Sequence, residues 1–405
     1  MHRKHRSLLP LHTCMLLFCC MALFMTGCSG SSITQLLPGS GNQPASSKTD
    51  ANGAPSEAQL RKVQSIMQGM SLDQKLGQLI IVEFLGQDYQ ATGLQQMITQ
   101  QYVGGFMYQE SNHNFDAPND QIAAVNALSV QAQQDAKVPL LIATDQEGGQ
   151  VNRLATFHGD LPSAQVMANS GKPQMAYDQG AQAAKWMLQL GINADLAPVV
   201  DVQTVSPPVL EDRIFGSDPQ TVVTYAGEYL KGLQQNNVIG TLKHFPGLGA
   251  ITSDPHDGLP EVDRSMADLN KIDLAPYKTM IPQDQPAMIM STDVLMPAID
   301  PNLPAELSPS AINGVLRGQL GYNGVVITDG LYMGGITAQW TLSQAAVLSI
   351  VAGDDLVEGP YTPDQVASVV DALKQAISGG QLSTSRIDQS VQRILLMKMK
   401  YGLIK

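Results

Sequence analysis

No cysteine follows position 28: Cys14, Cys19, Cys20 and Cys28 all lie in the first 28 of 405 residues. A domain built from the remainder has no disulfide to draw on and must be held together by burial. The chain also lacks a basic excess. It carries 24 Lys and Arg against 36 Asp and Glu, and setting aside Arg3, Lys4 and Arg6 of the N-terminal segment leaves 24 − 3 = 21 against 36, a charge of −15. A surface of that sign cannot neutralise a phosphate backbone, which excludes nucleic acid as a partner. No glycine-rich turn is followed by Gly-Lys-Ser/Thr, so there is no phosphate-binding loop. His113 and His158 lack HExxH or other ligand spacing, and neither a metal nor another cofactor is expected. No self-similarity at a period of roughly 20–50 residues appears, so any regular alternation is architectural.

What is present begins with a leader. Arg3, Lys4 and Arg6 precede an apolar stretch from Leu8 to Met25 that ends in Thr26-Gly27-Cys28. A basic start followed by such a stretch reads as a secretory signal, too short and wrongly flanked for a permanent span. An uncleaved anchor helix is the alternative, and in both cases the rest of the chain is exported. Met25-Thr26-Gly27-Cys28 also resembles a bacterial lipobox, which implies that Cys28 becomes the lipidated first residue of a membrane-anchored protein at the cell surface or in the periplasm. Residues 29–57 are rich in Ser, Gly, Pro, Asn and Gln and cannot offset their own ordering entropy, so they read as a flexible tether. Residues 58–405 have the length of one large catalytic domain, expected to act as a monomer.

Short apolar runs alternate with amphipathic stretches, the pattern of parallel strands joined by crossover helices. Strands are predicted at Leu79–Glu83, Val103–Tyr108, Leu140–Asp145, Ala194–Val202, Ile239–His244, Ala287–Ser291, Val325–Asp329 and Asp355–Glu358. Helices are predicted at Gln121–Ala136, Met175–Leu190, Thr221–Gln235, Leu307–Leu320, Leu342–Val351 and Pro363–Ile377, with a last one from Ser385 to Met399. Eight β/α units give the fold class α/β, a TIM-type (β/α)8 barrel, with a doubly wound sheet as the lesser alternative. Such barrels gather their active sites at the C-terminal strand ends. Asp145, Gln146 and Glu147 end the third predicted strand, Asp201 the fourth, Lys243 and His244 the fifth, Asp293 follows the sixth and Asp329 ends the seventh.

Asp329 is the leading candidate for chemistry. It follows Val325-Val326-Ile327-Thr328 on a rigid strand, where a carboxylate can act as a nucleophile, although an Asp at a strand-to-helix turn also serves as an N-cap. Lys243-His244-Phe245-Pro246-Gly247-Leu248-Gly249 runs on to Ser253-Asp254-Pro255-His256, an Asp and a His two residues apart. A carboxylate on one ring nitrogen fixes the tautomer and raises basicity at the other, whereas a loop His beside a turn Asp is the plainer reading.

These two motifs, in this order, resemble glycoside hydrolase family 3, specifically its single-barrel β-N-acetylglucosaminidase branch. The resemblance covers Met70 to about Leu403, without the second α/β domain that many members carry. It implies Asp329 as the nucleophile of a retaining mechanism and His256, oriented by Asp254, as acid and base on a mobile loop. Asp145 to Arg153 is similar to the family's DQEGGxVxR segment, which implies that Asp145 accepts from two sugar hydroxyls and that Arg153 donates nearby. Glu211 to Pro219 resembles the segment whose arginine, here Arg213, reaches the sugar, and Lys243 and His244 become hydroxyl donors. Three positions depart from the pattern: Leu248 replaces a second His, Pro255 a Ser, and Tyr332 an acidic or small polar residue. The implied function is a cofactor-free β-N-acetylhexosaminidase acting on terminal N-acetylglucosamine of cell-wall glycans. A phosphorylase on the same scaffold, a sugar-binding surface lipoprotein without catalysis and a solute-binding lipoprotein are the competing readings.

Overall fold

The computed structural model describes residues 55–116, 120–206 and 210–405. The leader, Cys28 and nearly all of the tether lie outside the described residues. Eight parallel strands close into a barrel in chain order: β1 Ile80–Val82, β2 Gly105–Met107, β3 Leu141–Thr144, β4 Ala194–Asp195, β5 Ile239–Phe245, β6 Met288–Ser291, β7 Val325–Gly330 and β8 Leu356–Glu358. Closure is direct, with Ile80 of β1 registered on Val357 of β8. Almost every strand residue is buried because barrel strands are covered on both faces, by the filled interior and by the helix ring.

The helices begin where the sequence supplies caps. Ser56 with Gln59, Ser71 with Gln74 and Thr341 with Gln344 each form a reciprocal capping box, and Asp218 and Thr362 cap helices that open on Pro219 and Pro363. The helices Pro173–Gln189 and Pro219–Gln235 cross at glycine. A Cβ at Gly180 would stand 2.2 Å from the Tyr229 carbonyl oxygen, and one at Gly232 would stand 2.3 Å from that of Tyr177, so any side chain would push the pair apart. The last helix, Thr384–Lys400, is tied to the start of β8 through Asp355, which accepts from Arg317 at 2.7 Å, Arg393 at 2.9 Å and Ser390 at 2.5 Å.

Two predicted elements differ from the structure. The fourth strand is only Ala194–Asp195, because Pro198, after a cis Ala197–Pro198 bond, has no N–H for the ladder; the chain rejoins β5 as one bridge between Val199 and Lys243. The helix expected from Leu307 begins at Ser310 as a π-helical segment, Ser310–Gln319, after a short turn at Ala305–Leu307, since Pro309 can precede but not continue the turn. One element was not anticipated: a hairpin of Gln146–Gly148 and Val151–Asn152 directly after β3. Gly148, the last residue of the first strand, and Gly149, the first of the turn, take φ of 90° and 60° to reverse the chain.

Candidate active site

A cavity of about 310 Å³ opens at the C-terminal ends of the strands and is lined by Asp145, Arg153, Arg213, Lys243, His244, His256 and Asp329. Seven of the eight predicted catalytic and sugar-contacting residues therefore meet in one place, and the eighth, Asp254, stands behind His256.

The wall formed by β3 to β5 is a buried ion network. Lys243, at 2% exposure, donates from Nζ to Asp145 Oδ1 at 2.6 Å and to Glu147 Oε1 at 2.7 Å. Arg213 grips Glu147 with both arms of its guanidinium, Nε to Oε2 at 2.7 Å and Nη2 to Oε1 at 2.8 Å. Burial alone would raise the Glu147 carboxyl, but Arg213 and Lys243 outweigh it and hold the group well below the usual carboxylate range. Burial likewise opposes the charge on Lys243, and Asp145 and Glu147 more than restore it. Two cations and two anions thus cancel on this wall. Asp145 keeps Oδ2 on Gln109 at 3.2 Å. Arg153 lies on the second strand side of the hairpin, and its Nε has no hydrogen-bond partner among the described residues.

His244 is fixed from behind. Its Nδ1 lies 2.7 Å from Asp201 Oδ2, while Asp201 Oδ1 accepts the backbone N–H of His244 at 3.3 Å and of Leu248 at 2.7 Å. Its Nε2 faces Arg213 Nη2 at 3.5 Å. Leu248 is buried and lines the cavity, so the loop at this departure from the family pattern is held by a backbone hydrogen bond and an apolar contact.

Asp329 stands across the cavity on β7. Thr292 Oγ1 donates to its Oδ2 at 2.8 Å, and the Gly330 N–H donates to its Oδ1 at 3.0 Å. It caps no helix: the next one, Gly334–Thr337, has Met333 at its N-cap without a side-chain bond. The plainer alternative for Asp329 is therefore not realised. On the loop after β5, His256 Nδ1 lies 2.8 Å from Asp254 Oδ1, with the imidazole 60% exposed and its Nε2 unengaged by Asp254. The loop rests against the turn that follows Asp329, where Gly334 N donates to the His256 carbonyl at 3.2 Å and Gly335 N to that of Pro255 at 3.0 Å.

Several pocket residues received no role in the sequence reading. Glu147 had a usable signal, since it lies two residues past Asp145 and so shares its face in extended chain. Glu83 at the end of β1 and Glu358 at the end of β8 also line the cavity, as do Tyr332 and Tyr361, whose rings meet edge to face at 5.4 Å. Glu358 is raised well above the usual carboxylate range by burial and then by Glu83 beside it. No local pattern marks that pair, because only barrel closure brings β1 to β8.

Residues 71–397 match the family model described as Glycosyl hydrolase family 3 N terminal domain. The chain belongs to glycosyl hydrolase family 3. Among relatives, it is 35% identical over 336 residues to Beta-hexosaminidase LpqI of Mycobacterium tuberculosis, covering 80% of this chain and 82% of the relative. Among solved structures, it is similar to a glycoside hydrolase family 3 beta-N-acetylglucosaminidase from Paenibacillus sp., with a TM-score of 0.78 and 35% identity over 82% of this chain and 63% of that one. It is also similar to a solved structure of Beta-glucoside phosphorylase BglX bound to 2FGlc, with a TM-score of 0.76 and 26% identity over 86% of this chain and 62% of that one. This family 3 member therefore spans most of the mycobacterial relative and less than two thirds of the two solved chains.

Proposed function

We propose that this protein is a retaining β-N-acetylhexosaminidase that hydrolyses terminal N-acetylglucosamine from cell-wall glycans. The observation that carries the reading is the cavity itself: a donor-oriented strand-end carboxylate, Asp329, and an imidazole–carboxylate dyad, His256 and Asp254, share it with a charge-balanced hydrogen-bonding wall. The relatives named as hexosaminidases and acetylglucosaminidases supply the substrate class.

In the first step Asp329 attacks the anomeric carbon while the glycosidic C–O bond breaks. The departing oxygen keeps the bonding pair and takes a proton from His256 Nε2, whose opposite nitrogen is held by Asp254. In the second, the same Nε2 accepts a proton from water as that water attacks the anomeric carbon and releases Asp329 from its ester. Asp145, Lys243, His244, Arg153 and Arg213 hold the non-reacting hydroxyls. With Glu147 behind them, the charges of Lys243 and Arg213 are balanced by Asp145 and Glu147, which suits a neutral sugar.

Release of chromophore from an aryl N-acetyl-β-glucosaminide tests the activity, and folded Asp329→Ala is expected to lose essentially all turnover. Retention of a tenth of the wild-type rate would remove Asp329 from its role, and absence of release from the wild type would favour a sugar-binding protein without catalysis. The similarity to a phosphorylase supports a second reading, in which phosphate replaces water in the second step; a neutral imidazole repels phosphate less than a carboxylate would. Turnover that depends on added phosphate and yields a sugar phosphate would decide for it. The leader and Cys28 support anchoring at the membrane through an N-terminal lipid, and Cys28→Ala is expected to shift the protein from the membrane to the soluble fraction.

A further inference from the structure

Asp329 has two carboxyl neighbours that the chemistry above does not use. Asp293, just beyond β6, and Glu306, in the turn at Ala305–Leu307, are both fully buried. Each keeps one oxygen, Asp293 Oδ2 and Glu306 Oε1, without a hydrogen-bond partner among the described residues. The fold presses both against the nucleophile. Glu306 N donates to the Thr292 carbonyl at 3.2 Å, and Glu306 Oε2 accepts the backbone N–H of Asp329 at 3.2 Å. Thr292 Oγ1 lies 2.8 Å from Asp329 Oδ2 and 3.4 Å from Asp293 Oδ1, so one hydroxyl stands between the two aspartates. The titratable groups that bear on this cluster are themselves carboxyls: Asp254 on the loop after β5, Asp329 on β7 and Asp354 before β8, the last pushed up to about 8 by its own burial.

Three carboxyls packed together without a cation cannot all ionise, and they titrate as a set. Hydrogen-bond donors decide where the charge rests. Asp329 has Thr292 on one oxygen, Gly330 on the other and the open cavity in front. A charge on Asp293 or Glu306 would instead leave a buried oxygen with no donor among the described residues. Burial, and then the charge of Asp329, push Asp293 up to about 9, and burial together with Asp293 and Asp329 raises Glu306 well above its usual range.

We propose that Asp293 and Glu306 are positioning residues that stay protonated beneath Asp329, so that Thr292 directs the single negative charge of the cluster onto the nucleophile. Asp293 also underlies the acid/base loop. Its Oδ2 lies 2.2 Å from where a Cβ on Gly335 would stand, and Gly334 and Gly335 are the residues whose amides hold the His256 and Pro255 carbonyls. Ionising Asp293 therefore sets a second negative charge beside both the nucleophile and the segment that seats the loop.

The inference rests on Asp329 as nucleophile, and two readouts separate the claims. An amide is isosteric with a protonated acid, so folded Asp293→Asn and Glu306→Gln are expected to keep the rate at neutral pH within about threefold of wild type. The rate is best followed with an activated aryl leaving group and azide in a His256→Ala background, which takes the His256 titration out of the profile. There, chains with Asp293 should lose activity as pH rises through about 9, and those with Asp293→Asn should not. The second readout needs no activity. The folded carboxyl of Asp293 titrates above its unfolded value, so its contribution to stability is complete below the unfolded pKa and lost as pH rises through about 9. Relative to its parent, Asp293→Asn should thus gain melting temperature between about pH 6 and about pH 9.5. No such gain would overturn the protonated assignment. A gain with an unchanged alkaline limb would overturn the link to the nucleophile.

Discussion

Replacing Glu147 by Gln tests the buried network without changing its shape. Three hydrogen bonds of 2.7–2.8 Å converge on this carboxylate from Lys243 and Arg213; Lys243 and Glu147 are nearly inaccessible and Arg213 is mostly buried. With Gln the wall carries two cations and one anion, and at least one N–H of Arg213 faces an amide hydrogen in place of an oxygen. Breaking a buried pair on one side costs about 3–5 kcal/mol, because the remaining charge stays buried and unpaired. Urea unfolding at neutral pH should show a loss of that size with the same denaturant slope. The folded carboxylate titrates far below its unfolded value, so its stabilisation is present above the unfolded pKa and lost as pH falls toward the folded one. The gap between wild type and Glu147→Gln should therefore hold above about pH 5 and close by about 1.4 kcal/mol per pH unit below about pH 4.3. Activity should fall chiefly through kcat/KM, since Lys243 and Arg213 lose the partner that aims them. A variant within about 1 kcal/mol of wild type at neutral pH, or a gap that does not change with acid, would refute the placement of the charge.

The dyad predicts that His256→Ala slows hydrolysis of the glycosyl-enzyme more than its formation when the leaving group is activated, and that azide restores turnover as a β-glycosyl azide; absence of rescue sends the search for an acid/base elsewhere. Asp254→Ala should lose less in the same step, and the double variant should be far from additive. Asp355→Asn removes the carboxylate shared by Arg317, Arg386 and Arg393; it should cost about 3–5 kcal/mol in chemical unfolding while leaving the rate per folded molecule unchanged, because it lies at the other end of β8 from the cavity. Lys398 is fully buried, donates to the Gly104 carbonyl at 2.8 Å and is pushed down to about 7 by burial, so wild-type stability should decline relative to Lys398→Met as pH falls from about 10 to about 7 and then level off.

Much of this architecture was legible because barrel strands are short apolar runs and their helices carry local caps. Val325–Asp329 was read within one residue of β7, and Pro363–Ile377 within one residue of its helix. Ala194–Val202 failed because its apolar character continues past the point where Pro198 ends the ladder, and hydrophobicity does not report hydrogen bonding. The hairpin after β3 was missed because its strands are two or three residues long, below any periodic signal. In the site, most polar residues that end strands were found, but Glu83 and Glu358, which end predicted strands and meet only through barrel closure, and residues defined by contact between distant segments were not. Asp293 was noted as a polar residue after a strand, but its relation to Glu306 and Asp329 depends on how the turn at 305–307 folds back on Thr292.

The two sides of the cavity divide the work electrically. On the β3–β5 side Lys243 and Arg213 are cancelled by Asp145 and Glu147, so the wall offers fixed donors and acceptors but little net field, which suits orientation of a neutral polyol. On the β7 side the groups surrounding Asp329 are carboxyls and a hydroxyl, with no cation bonded to it among the described residues. In the proposed mechanism a cation there would stabilise the free carboxylate of Asp329 and weaken its attack. With hydrogen bonds alone as partners, the negative charge remains available to the positive charge that develops at the anomeric carbon, and stabilisation grows as the transition state forms. On the proposal that the neighbouring acids keep their protons, each further anion would lack a donor, whereas a neutral acid keeps Thr292 free to serve Asp329. Substrate orientation and charge development are thus supported by different strands of one barrel, and exchange of a residue on one side is expected to leave the other side's titration in place.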